Sequence, residues 1–302
     1  MTGTSSPRTS QIRIGISGWR YAGWRGVFYP ETLTHARELE FASRAVESIE
    51  INGSHYSLQT ASSFRRWRDE TPNDFVFSVK GPRFITHMLR LEGERLATAI
   101  ANFFASGILE LGPKLGPILW QFPARLRYKP DVFESFLKAL PRDTIAAAEL
   151  ARRHDSRVKD PATTTDRKRR LRHAFEIRHP DWCNESFVQM LRRHEAALVV
   201  SDAVADWPYV EDVTAAFVYM RLHGPETLYG GQYSDDALDA WADRIRAWAN
   251  GGEPPDAHRI SKKQPRTRRS RDVFCYFDND QKVRAPFDAQ RLMARLGKQA
   301  AP

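Results

Sequence analysis

Short apolar runs alternate with longer segments of helical character along most of the chain. Eight of these runs are rich in β-branched and aromatic residues and have the length of a β-strand. The segments between them are mostly helical in pattern; in residues 234–250, Leu238, Trp241, Ile245 and Trp248 form one apolar stripe. The predicted strands are residues 13–17, 48–53, 75–80, 117–122, 173–178, 197–201, 215–222 and 272–277.

The helical segments complete a repeating strand–helix pattern. Thr60 is placed to cap the second helix, and the third helix is expected to be interrupted near Gly107. Only a turn of helix fits between Asp202 and Ala215, so the helix after the sixth strand should be vestigial. The predicted helices are residues 35–45, 60–70, 91–111, 131–140, 184–194, 234–250 and 286–296.

Strands that alternate with helices in this way indicate a parallel sheet. Eight such units in 302 residues favour a single-domain TIM-type (β/α)8 barrel of the α/β class over an open, doubly wound sheet. The open sheet has no nucleotide-binding fingerprint to support it, because neither GxGxxG nor GxxxxGK[ST] follows a strand. We expect the barrel to cover residues 12–298 and the polar residues 1–11 to form a disordered tail.

The fifth strand shows where the chemistry is expected. In HAFEIRHPDW, residues 173–182, strand-forming apolar residues lead directly into Glu176, Arg178 and His179. Charged groups are costly near a core unless they pair or react, so their position at a strand end indicates a site. The alternative is a structural ion pair between Glu176 and Arg178. Because residues alternate along a strand, both side chains should lie on the inner face of the barrel near its rim.

Polar residues recur at the other strand ends, which converge on the catalytic face of a TIM barrel. The candidates for general acid–base catalysis are Glu50, Glu176, His179, Asp202 and His223. The candidates for substrate binding are Trp19, Asn52, Lys80, Gln121, Arg178, Arg221 and Asn279. Single members have structural alternatives: Gln121 as a core amide, Trp19 as packing, and either histidine as a strand cap.

The residue types in this set suggest an anionic substrate. Lys80, Arg178 and Arg221 can clamp a phosphate or carboxylate group, with His223 beside them. The acids can transfer protons if burial or neighbours bring their pKa values toward neutrality. They can instead hold a divalent metal ion, although the nearby cations would compete for the same carboxylates. Arg221 has its own alternative, an internal ion pair with Glu176 or Asp202.

At these motifs the chain resembles the YecE-like family, also called domain of unknown function 72. The resemblance rests on GISGW, EINGSHY, FVFSVKGPRFITH, ILWQFP, FEIRHPDW, YMRLHG and YFDND, which occur in this order from Ile12 to about Leu296. It implies a TIM-type barrel with a pocket at the strand C-termini. The shared polar positions would be Glu50, Asn52, Lys80, Gln121, Glu176, Arg178, His179, Arg221, His223 and Asn279. The family brings no established reaction.

The net charge of +9 is concentrated in two basic segments. Residues 151–172 contain nine Lys or Arg against three Asp, and residues 257–271 contain seven against no acid. Both segments lack apolar periodicity, so we interpret them as solvated insertions that are dispensable for folding. The alternative is that they hold nucleic acid or another acidic partner. They differ from the usual pattern of the family that the chain resembles.

Two cysteines without metal-ligand spacing, no signal peptide and no apolar run of membrane-spanning length favour a cytoplasmic protein without a membrane partner. Three classes of function remain. The first is a barrel enzyme, a hydrolase, lyase or isomerase, acting on a small phosphorylated or carboxylated compound. The second is a nucleic-acid binding or processing protein, and the third is a non-catalytic ligand-binding barrel. The first is favoured because a buried acid–base set has no purpose in a scaffold.

Overall fold

The computed structural model describes residues 10–298, and the expected N-terminal tail, residues 1–11, lies almost wholly outside that range. Eight parallel strands pair in sequence order, and β8 pairs with β1, which closes the barrel. The predicted TIM-type fold is therefore confirmed. The strands are β1 (Ile12–Ser17), β2 (Ser48–Ile51), β3 (Val76–Lys80), β4 (Leu115–Gln121), β5 (His173–Glu176), β6 (Ala197–Asp202), β7 (Phe217–Leu222) and β8 (Asp272–Phe277).

Helices surround the barrel and follow the predicted pattern with small shifts at their ends. Thr60 accepts a hydrogen bond from the Ser63 backbone N–H and caps α3, as predicted. A kink at Gly107 separates α4 from a 3₁₀ helix, Ile108–Lys114. The α-helices are α1 (Glu38–Ala45), α2 (Gly53–Tyr56), α3 (Ala61–Glu70), α4 (Leu96–Ala105), α5 (Pro130–Ala139), α6 (Thr144–Ala151), α7 (Glu185–His194), α8 (Asp235–Ala249) and α9 (Ala285–Arg295).

The connection between β6 and β7, residues 203–216, contains no helix in the structure, as the spacing predicts. The second basic segment packs in its place. Backbone N–H groups of Ile260 and Ser261 donate to the Asp212 carboxylate at 2.6 and 3.0 Å, and that of His258 donates to Glu211 at 2.8 Å. The interpretation of this segment as a dispensable solvated insertion is therefore wrong in its premise, because its backbone satisfies two buried carboxylates.

The first basic segment is also attached to the fold. Its residues Val158, Ala162 and Leu171 are buried, and the Ala162 backbone N–H donates to the carbonyl of Ala105 in α4. It begins at the end of α6, a helix that the sequence analysis missed. The expectation that this segment has no apolar residues to bury is therefore wrong, although it is irregular in backbone, as expected.

Within residues 10–298, no single helix is long and apolar enough to cross a membrane. Two consecutive helices, Leu96–Ala105 and Ile108–Lys114, reach the length and composition of a membrane span only when taken together, and the chain bends by 54° between them.

The barrel interior changes character from one end to the other. At the N-terminal ends of the strands, Phe217 and Phe274 pack edge to face with ring centroids 6.1 Å apart. In the middle, the Tyr219 hydroxyl lies 2.7 Å from the Ser78 hydroxyl, and the Tyr276 hydroxyl lies 2.8 Å from that of Ser48. Side chains thus fill the interior up to the C-terminal mouth, where the candidate site lies.

Candidate functional site

Every strand contributes a buried polar residue to the mouth of the barrel. Side chains at alternate positions of a strand face the same way, so the last inward position of each strand can be followed from the apolar interior below it. These positions form what we call the polar ring: Ser17, Glu50, Lys80, Gln121, Glu176, Ser201, Arg221 and Asp278, all 8% exposed or less. Eight polar residues in one buried layer are unusual for a core, so the layer is the candidate site.

Arg221 lies at the centre of the polar ring and is 1% exposed. Its guanidinium donates to Glu50 at 3.0 and 3.2 Å, to Glu176 at 2.9 Å and to Asp278 at 2.8 Å. Glu50 also accepts from the Tyr219 hydroxyl at 2.6 Å. The guanidinium is thus surrounded by three carboxylates. This is the internal pairing that was the alternative to anion binding by Arg221.

The charges in this cluster stabilise one another. Burial acts to raise the pKa of Glu176, but Arg178 and Arg221 outweigh it and hold this pKa well below the usual value. Burial likewise opposes ionisation of Asp278, yet Arg221 and His223 lower its pKa to about 2. A carboxylate so weakly basic is a poor proton acceptor at neutral pH. The condition set for acid–base catalysis by Glu176 is therefore not met.

His223 and Arg178 extend the cluster toward the rim. The His223 Nδ1 atom lies 3.0 Å from Asp278, and its Nε2 atom lies 3.5 Å from Glu176. Arg178 donates to Glu176 at 2.9 and 3.0 Å, so both side chains lie inside the barrel mouth, as predicted. The Arg178 guanidinium stacks on the Trp207 ring at 3.6 Å, which covers this side of the site.

Lys80 differs from the other charged members of the ring. Among residues 10–298, its ammonium group has neither a hydrogen bond nor an ion pair. Burial, and then the positive charge of Arg221, lower the pKa of Lys80 to about 8. Lys80 therefore changes protonation state near neutral pH and is available to a ligand.

Lys80 lines a cavity of about 580 Å³ at the barrel mouth. Gly18 turns the chain after β1 with a φ of +82°, which brings the next residues over the mouth. The Asn52 side-chain oxygen is buried without a hydrogen-bond partner among the described residues, so a ligand donor would satisfy it. Aromatic side chains form the walls of this mouth cavity: Trp19, Tyr21, Tyr56, Trp67 and Tyr229.

Asp280 is a cavity residue that the sequence analysis did not select. Burial, and then the neighbouring charge of Asp278, raise its pKa to about 6. A carboxyl with this pKa exchanges its proton near neutral pH, in contrast to Glu176 and Asp278. The sequence signal was the pair of acids in YFDND, Asp278 and Asp280, which directly follow β8.

Four predicted site residues make structural contacts instead. His179 accepts from the Asp181 backbone N–H and caps a short 3₁₀ turn. Asp202 accepts from the Tyr233 hydroxyl at 2.9 Å, and Asn279 donates to the Gly231 carbonyl and to Asp288. Gln121 lies in the polar ring but donates to the Phe122 carbonyl, as a core amide would. None of the four lines the mouth cavity.

Most aromatic side chains of the loop after β1 pack against one another and do not line the cavity. Trp24, Phe28 and Tyr29 are buried against one another. Trp19 packs edge to face on Trp67 with ring centroids 5.3 Å apart, and both rings border the cavity. Trp19 thus lies at the site, as predicted, and also packs against a neighbouring ring, which was the structural alternative.

The donor set does not fit a metal ion. Among the described residues, no group of three or more His, Cys, Asp and Glu side chains is arranged to hold one. The carboxylates of Glu50, Glu176 and Asp278 converge on Arg221, whose guanidinium takes the place that a metal would need. Within this ring, Arg221 is one of the competing cations named from the sequence, and it contacts all three carboxylates.

The fold and the ring define a TIM-barrel protein with a closed, charged mouth. The family model described as "Protein of unknown function DUF72" matches residues 13–302, so the chain belongs to this family. The UPF0759 protein YunF of Bacillus subtilis (strain 168) is 31% identical over 117 residues, 37% of this chain and 40% of that protein. The UPF0759 protein YecE of Escherichia coli (strain K12) is 29% identical over 132 residues, 43% and 44% of the two chains. The matches thus span less than half the length of these relatives.

Solved structures of the same family share the fold. A DUF72 family protein from Thermotoga maritima MSB8 superposes with a TM-score of 0.69 at 23% identity, covering 95% of this chain and 100% of that one. A DUF72 family protein from Enterococcus faecalis V583 gives a TM-score of 0.68 at 16% identity, covering 97% and 98%. At these sequence identities the similarity shows a shared barrel fold and does not show a shared reaction.

Proposed function

We propose that the protein is an enzyme that acts on a small, hydroxylated organic anion bound in the mouth cavity. The observation that carries the proposal is Lys80, which lines the cavity and whose ammonium group has no counter-ion among the described residues. The carboxylate or phosphate of a substrate would supply the missing partner. Arg221 is saturated by internal carboxylates, so its role is to hold the ring together and to lower the pKa of Lys80.

The other residues of the cavity indicate that the substrate carries hydroxyl groups. The Asn52 oxygen needs a donor, which a hydroxyl group provides. The aromatic walls, which include Trp19 and Tyr229, suit the apolar face of a sugar-like ring or chain. This cavity has the size and the mixture of apolar walls and few polar groups that small-molecule sites have.

Lys80 and Asp280 supply the proton chemistry in place of Glu176. Their pKa values, about 8 and about 6, bracket neutrality, so at pH 7 most of Lys80 carries a proton and most of Asp280 has lost one. Such a pair suits proton removal by Asp280 and proton donation by Lys80. The reaction class is therefore a lyase or isomerase type of proton transfer rather than metal-assisted hydrolysis.

Ligand-induced stabilisation tests the proposal. Gluconate, glucuronate and glycerol phosphate should raise the melting temperature of the protein, by about 5 °C near 100 times Kd, while glucose and glycerol should not. The Lys80→Met variant should lose the response. Lys138→Met, which removes the same charge from the exposed face of α5, should keep it. Equal stabilisation by the neutral sugars would contradict the preference for anions.

The other two classes of function remain hypotheses with separate tests. The basic segments would hold nucleic acid in the second class, but several of their arginines make internal contacts, such as Arg259 with Glu253 and Arg271 with the Gly252 carbonyl. Salt-dependent binding of DNA or RNA that vanishes with these segments would support that class. A ligand that stabilises the protein and leaves it chemically unchanged would support a non-catalytic barrel.

A further inference from the structure

We infer that Lys80 is a covalent nucleophile, whose amine forms a Schiff base with an aldehyde or ketone carbonyl of the substrate. The inference rests on the proposed function in taking the mouth cavity as the ligand site. It adds a carbonyl group as the defining feature of the substrate. Its basis is the position of Lys80, the lack of a partner for its side chain and the charge beside it.

Lys80 is held by a rigid part of the barrel. It is the last residue of β3, and its backbone carbonyl accepts a hydrogen bond from the Ser54 hydroxyl at 2.6 Å. Ser78, one inward position below, is fixed by the Tyr219 hydroxyl. Catalytic groups on strands are positioned more accurately than those on loops. The side chain therefore starts from a fixed point and ends in the cavity.

Lys114 shows what a structural buried lysine looks like in the same chain. Lys114 is 6% exposed and Lys80 is 8% exposed, so the two are buried alike. The Lys114 ammonium donates to the carbonyls of Arg68 and Thr71 and to the Thr71 hydroxyl. The Lys80 ammonium has no such acceptor among the described residues. A buried ammonium without acceptors favours the neutral amine, which is the nucleophilic form.

The surroundings of Lys80 have the features that activate lysine for carbonyl chemistry. Burial, and then the positive charge of Arg221, lower its pKa to about 8 against the opposing charges of Glu50, Glu176 and Asp278. At pH 7 about 10% of such a lysine is neutral, which is roughly 200 times the neutral fraction of a lysine with an ordinary pKa near 10.4. Desolvation beside a second cation is a known route to a nucleophilic lysine.

The proposed step balances without an external oxidant or reductant. The neutral Lys80 amine attacks the carbonyl carbon, a C–N bond forms as the C=O π electrons move to the oxygen, and one proton passes from the nitrogen to that oxygen to give a carbinolamine. A second proton then lets the oxygen leave as water, and the C=N⁺ iminium remains. Asp280 lines the same cavity and, with a pKa of about 6, can deliver and recover protons near neutral pH. The iminium then acts as an electron sink for proton removal or C–C cleavage.

Reductive trapping tests the inference on the full-length protein. Pyruvate and glycolaldehyde are added separately with sodium cyanoborohydride at pH 7, and the modified lysines are identified by tryptic digestion and mass spectrometry. A reduced adduct on Lys80 blocks cleavage before Gly81. We expect Lys80 to be modified at least about tenfold faster than the exposed Lys138, because more of it is neutral. Lys114, which is equally buried but hydrogen-bonded, should stay unmodified.

The possible results separate the inference from the proposed function. A Lys80 that reacts no faster than Lys138 overturns the inference, even if gluconate stabilises the protein through Lys80. An adduct on Lys80 without stabilisation by any anion of the panel supports the inference and contradicts the anion preference. The Lys80→Arg variant keeps the charge, so it should keep anion binding and lose the adduct while modification of Lys138 is unchanged. Trapping on the wild type needs no variant to fold.

Discussion

At each end of the barrel interior, an arginine pairs with carboxylate. The two ends differ in the polar side chains that surround this arginine. At the N-terminal end, Arg172 donates to Asp272 at 2.6 Å and lies over the Phe217 and Phe274 rings at 6.0 and 5.4 Å. At the C-terminal end, Arg221 is surrounded by three carboxylates. The first arrangement includes an ion pair on an apolar layer, while the second is one part of a wholly polar layer.

The difference lies in the polar groups that pairing does not use. At the C-terminal end, the Lys80 ammonium has no partner and the Asn52 oxygen accepts no hydrogen bond within residues 10–298, and Asp280 has a raised pKa. Buried polar groups in this state lower stability. A paired arginine alone is therefore compatible with a structural role, whereas unpaired groups beside a cavity mark a functional site.

The largest effect is expected from Arg221→Ala. Removing this guanidinium leaves Glu50 and Asp278 buried without their main counter-ion and Glu176 with Arg178 alone, so the free energy of unfolding at pH 7 should fall by about 3–5 kcal/mol. Urea titration measures this loss.

The matched control is Arg172→Ala at the opposite end. Asp272 still accepts from the Gln11 backbone N–H, so the loss should be about 1–2 kcal/mol. An equal loss from both variants would show that the two arginines have the same structural role, and the comparison would fail.

A second large effect is expected on the outside of the barrel. Replacing residues 257–271 with a short Gly/Ser linker removes the backbone donors to Glu211 and Asp212, so the free energy of unfolding should fall by about 2–4 kcal/mol. Lys262→Gln and Lys263→Gln change only exposed charges and should stay within about 0.5 kcal/mol. Full stability of the linker variant would restore the interpretation of this segment as a dispensable insertion.

The barrel could be predicted because its strands are continuous apolar runs, and β8 has the predicted bounds of Asp272–Phe277. The helix α6 was missed because its sequence, TIAAAELA, is rich in small apolar residues and has no apolar stripe. The packing of the second basic segment was missed for a related reason. It is held by backbone N–H groups on two carboxylates, and such contacts leave no hydrophobic pattern in the sequence.

The site could be predicted only in outline. Strand ends identified Glu50, Lys80, Glu176 and Arg221, because alternation along each strand fixes which side chains face inward. Which of these ions are paired depends on distances between strands far apart in sequence. The role of Asp280 depends on burial in a loop after β8, which no local pattern determines.

Lys80→Met should make the protein more stable. The folded pKa of Lys80, about 8, lies below the ordinary lysine value, so the unfolded chain binds this proton more tightly. At pH 7 the charged side chain therefore destabilises the fold, and its removal should raise the free energy of unfolding by about 1–3 kcal/mol. Wild-type stability should rise relative to the variant from about pH 8 to pH 10.4, a rise that chemical denaturation measures. A loss of stability in Lys80→Met would place Lys80 with the structural ion pairs.

The smallest effect is expected from Asp280→Asn, and it has the opposite pH dependence. Because the folded pKa of Asp280, about 6, lies above the ordinary value near 3.9, the folded protein binds this proton more tightly than the unfolded chain. Its contribution to stability is present below about pH 4 and is lost as the pH rises through 6. At pH 7 the variant should be more stable by less than about 1 kcal/mol, since solvent screens this partly exposed carboxyl. At pH 4 it should match the wild type, and the exposed Asp160→Asn should show no such difference between the two pH values.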